Sequence, residues 1–309
     1  MKICILGPGS LGSAFGGVMS EAGFDVHLVG PRTDHLDIMR QSGLTLVEDT
    51  GERTVQVKVA TDCREVGLVD LVIVLVKSTH TREAIEAAEP LLGEETAVLS
   101  LQNGLGNEEI LAEYLGEGRV LSGKTYVGGV LLSPGKVLIG RKGKLTQVGE
   151  LGGGLTDRAK LISEMFNRAG LETSTSSDMR PLIWHKLLIN VSTGAITGIT
   201  GLTYGELLQV PEAVRCGIEA VAEAMAVARA AGVGLSVEDP AVIFSSAVEG
   251  LTFDFKTSML QDVTRGVKTE IDFINGAVVR LGRQYGVPTP VNLALVAGIK
   301  GIEFGLGGY

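Results

Sequence analysis

In the first half of the chain, short apolar runs alternate with longer stretches in which apolar residues recur every three or four positions. The runs at 2–6, 25–29, 55–60, 70–76, 96–101 and 119–123 read as strands, and the stretches at 11–22, 33–41, 81–92 and 107–115 read as helices between them. Strands that are apolar on both faces and separated by helices predict βαβ units around a buried parallel sheet. From 125 to 149 the pattern changes to short strands broken by Ser133-Pro134-Gly135 and Arg141-Lys142-Gly143. That stretch reads as an antiparallel extension closing the sheet. Gly152, Gly153 and Gly154 make a loop, and 156–169 is a further helix.

Beyond about residue 178 the strand signal fades. Segments at 180–197, 211–231, 240–250, 258–284 and 290–303 have helical period and length. Pro211 and Pro240 stand near helix starts, where proline is tolerated. No internal repeat is present.

The first predicted strand runs into Gly7-Pro8-Gly9-Ser10-Leu11-Gly12, a G-x-G-x-x-G motif that opens the first predicted helix. That context is what makes the motif informative. Gly7 allows the tight turn, Gly9 lets backbone approach a pyrophosphate, and Gly12 lets helix and strand pack closely. The free N–H groups of the helix start then face the phosphates. The fold class is therefore α/β: an N-terminal Rossmann-type doubly wound sheet, residues 1–177, followed by an all-helical C-terminal domain, residues 178–309. The tip of the second strand, His27-Leu-Val-Gly30-Pro-Arg32, lacks the carboxylate that usually binds the ribose 2′-OH of NAD. An arginine follows instead, which favours the 2′-phosphate of NADP. The other reading makes Arg32 a solvated side chain and gives the ribose to Asp34.

Composition narrows the class of function. With 27 basic and 36 acidic residues the net charge is −9, which gives no electrostatic footprint for nucleic acid. The apolar runs are too short to span a membrane, and the N-terminus lacks the features of a signal peptide. Cys4, Cys63 and Cys216 are scattered, which fits a reducing compartment, the cytoplasm by default, and offers no metal spacing.

Reduction of a carbonyl by hydride needs a proton donor at its oxygen. Lys186 and Asn190 lie four apart on an apolar helix and share one face. The lysine either snorkels to solvent or is held inside by partners. Glu270 neighbours the apolar stripe Ile271, Ile274, Val278 and Leu281, as a flank residue or as a buried partner for a cation such as Lys186. Asn103 ends the fifth strand, and Lys77 ends the fourth on the same sheet edge. Their plainer readings are an ordinary Asn-Gly turn and a solvated strand-end lysine.

Seven blocks together resemble the ketopantoate reductase (2-dehydropantoate 2-reductase) family. They are the glycine motif, Val76-Lys77, Gln102-Asn103-Gly104, Trp184-His-Lys-Leu-Leu-Ile-Asn190, Tyr204-Gly-Glu-Leu207, Ser258-Met-Leu-Gln-Asp262 and Thr269-Glu-Ile-Asp-Phe-Ile-Asn-Gly276. The resemblance covers nearly the whole chain. It implies reduction of 2-dehydropantoate to pantoate with NADPH, on the route to pantothenate and coenzyme A. By that likeness Lys186 is the proton donor and Glu270 supports the reacting centre. Asn190 and Ser258 bind substrate, Asn103 borders nicotinamide and substrate, and Lys77 lies near the cofactor. The partner is a small 2-oxo acid, and a homodimer is an allowed assembly. Three positions depart from the family: Gly194, Tyr204 and Phe255 stand where members carry pocket asparagines. The alternatives are a related NADPH-dependent reductase of a different 2-oxo acid and a non-catalytic nucleotide-binding redox sensor.

Overall fold

A computed structural model describes residues 1–307. Its strands are β1 (Lys2–Leu6), β2 (Asp25–Val29), β3 (Leu44–Glu48), β4 (Gly51–Val55), β5 (Lys58–Ala60), β6 (Val69–Val74), β7 (Leu92–Ser100), β8 (Val120–Thr125), β9 (Gly128–Ser133), β10 (Lys136–Gly140), β11 (Thr146–Glu150) and β12 (Thr173–Thr175). Its helices are α1 (Ser10–Glu21), α2 (Asp34–Ser42), α3 (Thr81–Ala87), α4 (Asn107–Leu115), α5 (Asp157–Arg168), α6 (Arg180–Thr200), α7 (Tyr204–Leu207), α8 (Pro211–Ala230), α9 (Pro240–Val248), α10 (Ser258–Thr264), α11 (Asn275–Tyr285) and α12 (Pro290–Gly305). The chain forms two compact units: residues 1–102 with 107–179, and residues 103–106 with the chain from Arg180 onward.

The first unit is built on an eight-stranded sheet in the order β12-β11-β8-β7-β6-β1-β2-β5. Its pairs are parallel except β8 with β11. Successive strand residues feed opposite cores, as the period of two requires. Ile3 and Ile5 enter a cluster with Phe15 of α1 and Phe166 of α5, whereas Cys4 and Leu6 join Ile85 of α3 and Leu111 of α4. That is why these strands read as continuous apolar runs.

The 125–149 stretch does not extend this sheet as expected; only β11 does. β9 and β10 instead belong to a second sheet, ordered β4-β3-β10-β9, in which β10 runs parallel to β3. The expected single strand at 55–60 is correspondingly split between β4 and β5. Helix α1 lies against both sheets, and two glycines make room for it. A Cβ on Gly16 would come within 2.4 Å of Leu28 of β2, and one on Gly17 within 2.8 Å of Leu44 of β3.

The second unit is helical around α6 and α8, whose inner residues Leu188, Val191, Ala220 and Ala224 are buried together. The expected continuous helix at 258–284 is interrupted. Helix α10 stops before Gly266, at φ +66°. The N–H and hydroxyl of Thr269 then go to the buried carboxylate of Glu303, at 2.8 and 2.7 Å, instead of to helix carbonyls. A short 3-10 turn (Ile271–Phe273) precedes α11.

Candidate active site

The glycine loop follows β1 directly. Gly7 has φ +93°, and a Cβ there would lie 2.5 Å from the Val76 backbone nitrogen. A Cβ on Gly12 would lie 2.1 Å from the Gly7 carbonyl oxygen. Both positions are closed to any other residue. Gly9 has no atom within 4 Å of the corresponding point, so its backbone borders open space. As N-cap of α1 it places no side chain over the first turn, which carries no acidic residue. A diphosphate fits such a helix start, where unpaired N–H groups and the positive dipole end converge.

The first turn is braced from outside. The Leu131 N–H of β9 donates to Ser10 Oγ at 3.1 Å, which leaves the Ser10 hydroxyl hydrogen for another acceptor. Leu11 packs at the edge of the same core. Pro8 lies under the tip of β2, where a Cβ on Gly30 would come within 2.5 Å of Pro8 Cδ. No carboxylate side chain can therefore stand at position 30. Arg32 is exposed, and its Nε donates to Asp37 at 3.0 Å. Asp34 begins α2 behind its N-cap Thr33.

The carboxyl ends of β6 and β7 are tied together by a buried polar chain. Gln102 Nε2 donates to the Val76 carbonyl at 3.0 Å and to Thr81 Oγ1 at 2.7 Å. Thr81 Oγ1 donates to Asn107 Oδ1 at 2.9 Å, and Asn107 Nδ2 donates to Ser78 Oγ at 3.2 Å. Lys77 sits inside this framed turn, as the residue preceding the 3-10 segment Ser78–His80. The sequence pattern singled out Lys77 and, within the Gln102-Asn103-Gly104 block, Gln102. Ser78, Thr81 and Asn107, which complete the chain, carry no local signature.

In the second unit, Lys186 and Asn190 are half-buried on one face of α6, which continues through Thr193, Gly194 and Thr197. Thr193 Oγ1 and the Tyr204 hydroxyl are 3.0 Å apart, and burial pushes that phenol's pKa up. The Tyr204 ring lies 5.0 Å from the Phe255 ring. Thr197 and Thr257 share a hydrogen bond of 2.7 Å between hydroxyls. Thr257 caps α10, of which Ser258 is the exposed first residue.

Glu270 is 7% exposed. Its segment is pinned on both sides: Thr269 by Glu303, and Asp272 by Lys300 at 2.5 Å. Asn103 Nδ2 lies 3.5 Å from Glu270 Oε2, a long hydrogen bond joining residues 167 positions apart. The turn after Asn103 makes this approach. The Leu105 N–H donates to the Phe273 carbonyl at 2.8 Å, and Gly104, at φ +89°, passes close beneath it. Asn103 and Glu270 are thus brought together, as are Lys186 and Asn190, while Arg32 turns to Asp37. Among the described residues no cluster of three or more His, Cys, Asp or Glu could hold a metal ion, and no helix is long and apolar enough to cross a membrane.

Two family models match the chain: "Ketopantoate reductase PanE/ApbA" over residues 3–153, and its C-terminal counterpart over 178–303. A 2-dehydropantoate 2-reductase of Halobacterium salinarum is 36% identical over 295 residues, covering 94% of this chain and 95% of that protein. A crystal structure of a PanE/ApbA family ketopantoate reductase from Ralstonia eutropha JMP134 superposes with TM-score 0.90 at 33% identity, covering 99% of this chain and 100% of that one. The ternary structure of D-mandelate dehydrogenase with NADH and anilino(oxo)acetate superposes with TM-score 0.92 at 27% identity, covering 99% of both chains.

Proposed function

Because the chain belongs to the ketopantoate reductase PanE/ApbA family, we infer that it reduces 2-dehydropantoate to pantoate with NADPH, in the cytoplasm. The cofactor's reduced nicotinamide supplies the hydride when bound. The loop Gly7 to Gly12 and the start of α1 hold the diphosphate. Arg32 reads the 2′-phosphate with the guanidinium nitrogens left over from Asp37. Lys77, at the carboxyl end of β6, lies near the cofactor, since ligands in open α/β sheets bind outside the carboxyl ends of strands. Lys186 donates a proton to the keto oxygen, Asn190 orients that oxygen, and Ser258 donates to the substrate carboxylate. Glu270 supports the reacting centre, and Asn103 borders nicotinamide and substrate.

The observation that carries this reading is the approach of the Asn103 amide to the buried Glu270 carboxylate. Two polar residues from distant parts of the chain meet in the unit that also holds Lys186, Asn190 and Ser258. A bare nucleotide sensor would have no use for that assembly. The test is NADPH oxidation in the presence of 2-dehydropantoate and a panel of other 2-oxo acids. Turnover of 2-dehydropantoate supports the reading.

A second reading, a reductase of a 2-oxo acid with a larger apolar arm, is favoured by the contact between the rings of Phe255 and Tyr204, whose hydroxyl meets Thr193, the residue before Gly194. A Cβ added at Gly194 would meet only Met259, at 4.0 Å. Good turnover of such an acid with none of 2-dehydropantoate would select it.

A further inference from the structure

His35 has no place in the chemistry described above, yet it is 7% exposed and bonded through both ring nitrogens. Nδ1 lies 2.8 Å from the Gly135 backbone nitrogen, and Nε2 lies 2.9 Å from Ser13 Oγ. Ser13 Oγ in turn lies 3.0 Å from the Pro8 carbonyl oxygen. These contacts fix every proton. A backbone N–H can only donate, so Nδ1 of His35 carries no hydrogen. The neutral ring then bears its hydrogen on Nε2 and donates to Ser13 Oγ. That leaves the Ser13 hydroxyl hydrogen for the carbonyl of Pro8, inside the glycine loop.

We propose that His35 is a positioning residue for cofactor binding. Its neutral ring, acting through Ser13, holds the Pro8 peptide of the glycine loop against the turn between β9 and β10, and protonation of the ring releases that hold. The proposal rests on the dinucleotide reading of the loop. An imidazolium would bring an N–H on Nδ1 against the Gly135 N–H at 2.8 Å, two donors facing each other. The charged groups nearest to it along the chain are Asp34, Asp37 and Arg40 on its own helix and Arg32 before it, with Lys136 next to its partner Gly135. Arg32 is bonded to Asp37, and Lys136 to Glu52. Burial lowers the proton affinity of His35, opposed by the Pro8 carbonyl. The ring is therefore neutral at neutral pH and takes a proton only in acid, below its usual range.

The test is NADPH binding by the full-length protein without substrate, read by cofactor fluorescence from pH 7.5 downward. Steady-state kinetics and thermal midpoints of each variant accompany it. His35→Phe removes both bonds and should weaken NADPH about fivefold at neutral pH, the usual worth of one lost hydrogen bond, with kcat at saturating NADPH retained. His35→Gln can still accept from Gly135 and donate to Ser13. It should bind like the wild type at neutral pH and lose the wild type's weakening in acid. Ser13→Ala, a smaller change, should reproduce the neutral-pH loss if His35→Phe does not fold. Equal acid weakening in the wild type and His35→Gln would overturn the proposal. So would unchanged NADPH binding in His35→Phe, or in Ser13→Ala where that variant stands in for it. A wild-type protein that binds neither NADPH nor NADH would overturn the dinucleotide reading itself, and the proposal with it.

Discussion

Gly104 offers a sharp test of how Asn103 reaches Glu270. At φ +89° its backbone lies in the left-handed region, and a Cβ there would sit 2.4 Å from the Phe273 carbonyl oxygen and 2.7 Å from Phe273 Cβ. An alanine faces two costs. The left-handed conformation costs about 1–2 kcal/mol. Moving the loop to relieve the overlap breaks the bond from Leu105 N–H to Phe273, about 1 kcal/mol more. Gly104→Ala should therefore destabilise by about 2–3 kcal/mol. It should also carry the neighbouring Asn103 amide away from Glu270, lowering kcat by about fivefold if that contact is worth one hydrogen bond. Gly116→Ala is the control. Its φ is +85°, but no atom lies within 4 Å of the added carbon, so it meets the conformational cost alone. Denaturation midpoints and kcat of both variants, measured side by side, decide the matter. If Gly104→Ala is as stable as Gly116→Ala and turns over like the wild type, the close approach to Phe273 does not set the position of Asn103.

Three other outcomes follow from the site. Arg32→Ala should weaken NADPH by about 10- to 100-fold, the worth of a charge-assisted contact, and leave NADH nearly unchanged; equal weakening of both cofactors in binding titrations would take the 2′-phosphate away from Arg32. Lys186→Ala should lower kcat by about 100- to 10,000-fold with cofactor affinity little changed, and a near-normal kcat would return Lys186 to a solvated role. Around Gly194 the remaining polar groups include Thr193 and Tyr204, already bonded to each other. The ratio of kcat/KM for 2-dehydropantoate over 2-oxoisovalerate, which lacks the terminal hydroxyl, should thus be about 100 or less. A ratio of about 10,000 or more would mean that the pocket bonds the hydroxyl after all.

The sequence and the structure part company at identifiable places. β1, β2 and β6 are legible because both faces are buried, so nearly every residue is apolar. The second sheet is not, because its central pair joins β3 to β10 across some ninety positions and its edge strand β4, Gly-Glu-Arg-Thr-Val, carries almost no apolar signal. The break after α10 is hidden for a different reason. The apolar period continues through Ile271, Ile274 and Val278, while the left-handed Gly266 and then the pairing of Thr269 with Glu303, thirty-four positions on, take the backbone out of the helix. The site divides in the same way. Glycines, a strand-end lysine and a helix-borne Lys-x-x-x-Asn spacing can be read locally. The braces that hold the first two, His35 with Ser13 at the glycine loop and Gln102 with Thr81 and Asn107 at the lysine's turn, depend on contacts made only after the chain has folded.

The four residues from Asn103 to Gly106 belong to the second unit although the chain on both sides belongs to the first. The boundary is therefore crossed three times, at 102/103, 106/107 and 179/180. This matters for how such genes can recombine. A crossover at 179/180 joins two contiguous blocks and looks harmless, yet it combines a Gly104 loop inherited from one parent with a Phe273 segment inherited from the other. Chimeras made there inherit a loop and its receiving surface that were never selected together, and the mismatch falls beside Glu270. Exchange of 103–106 along with the helical block keeps the pair in one lineage.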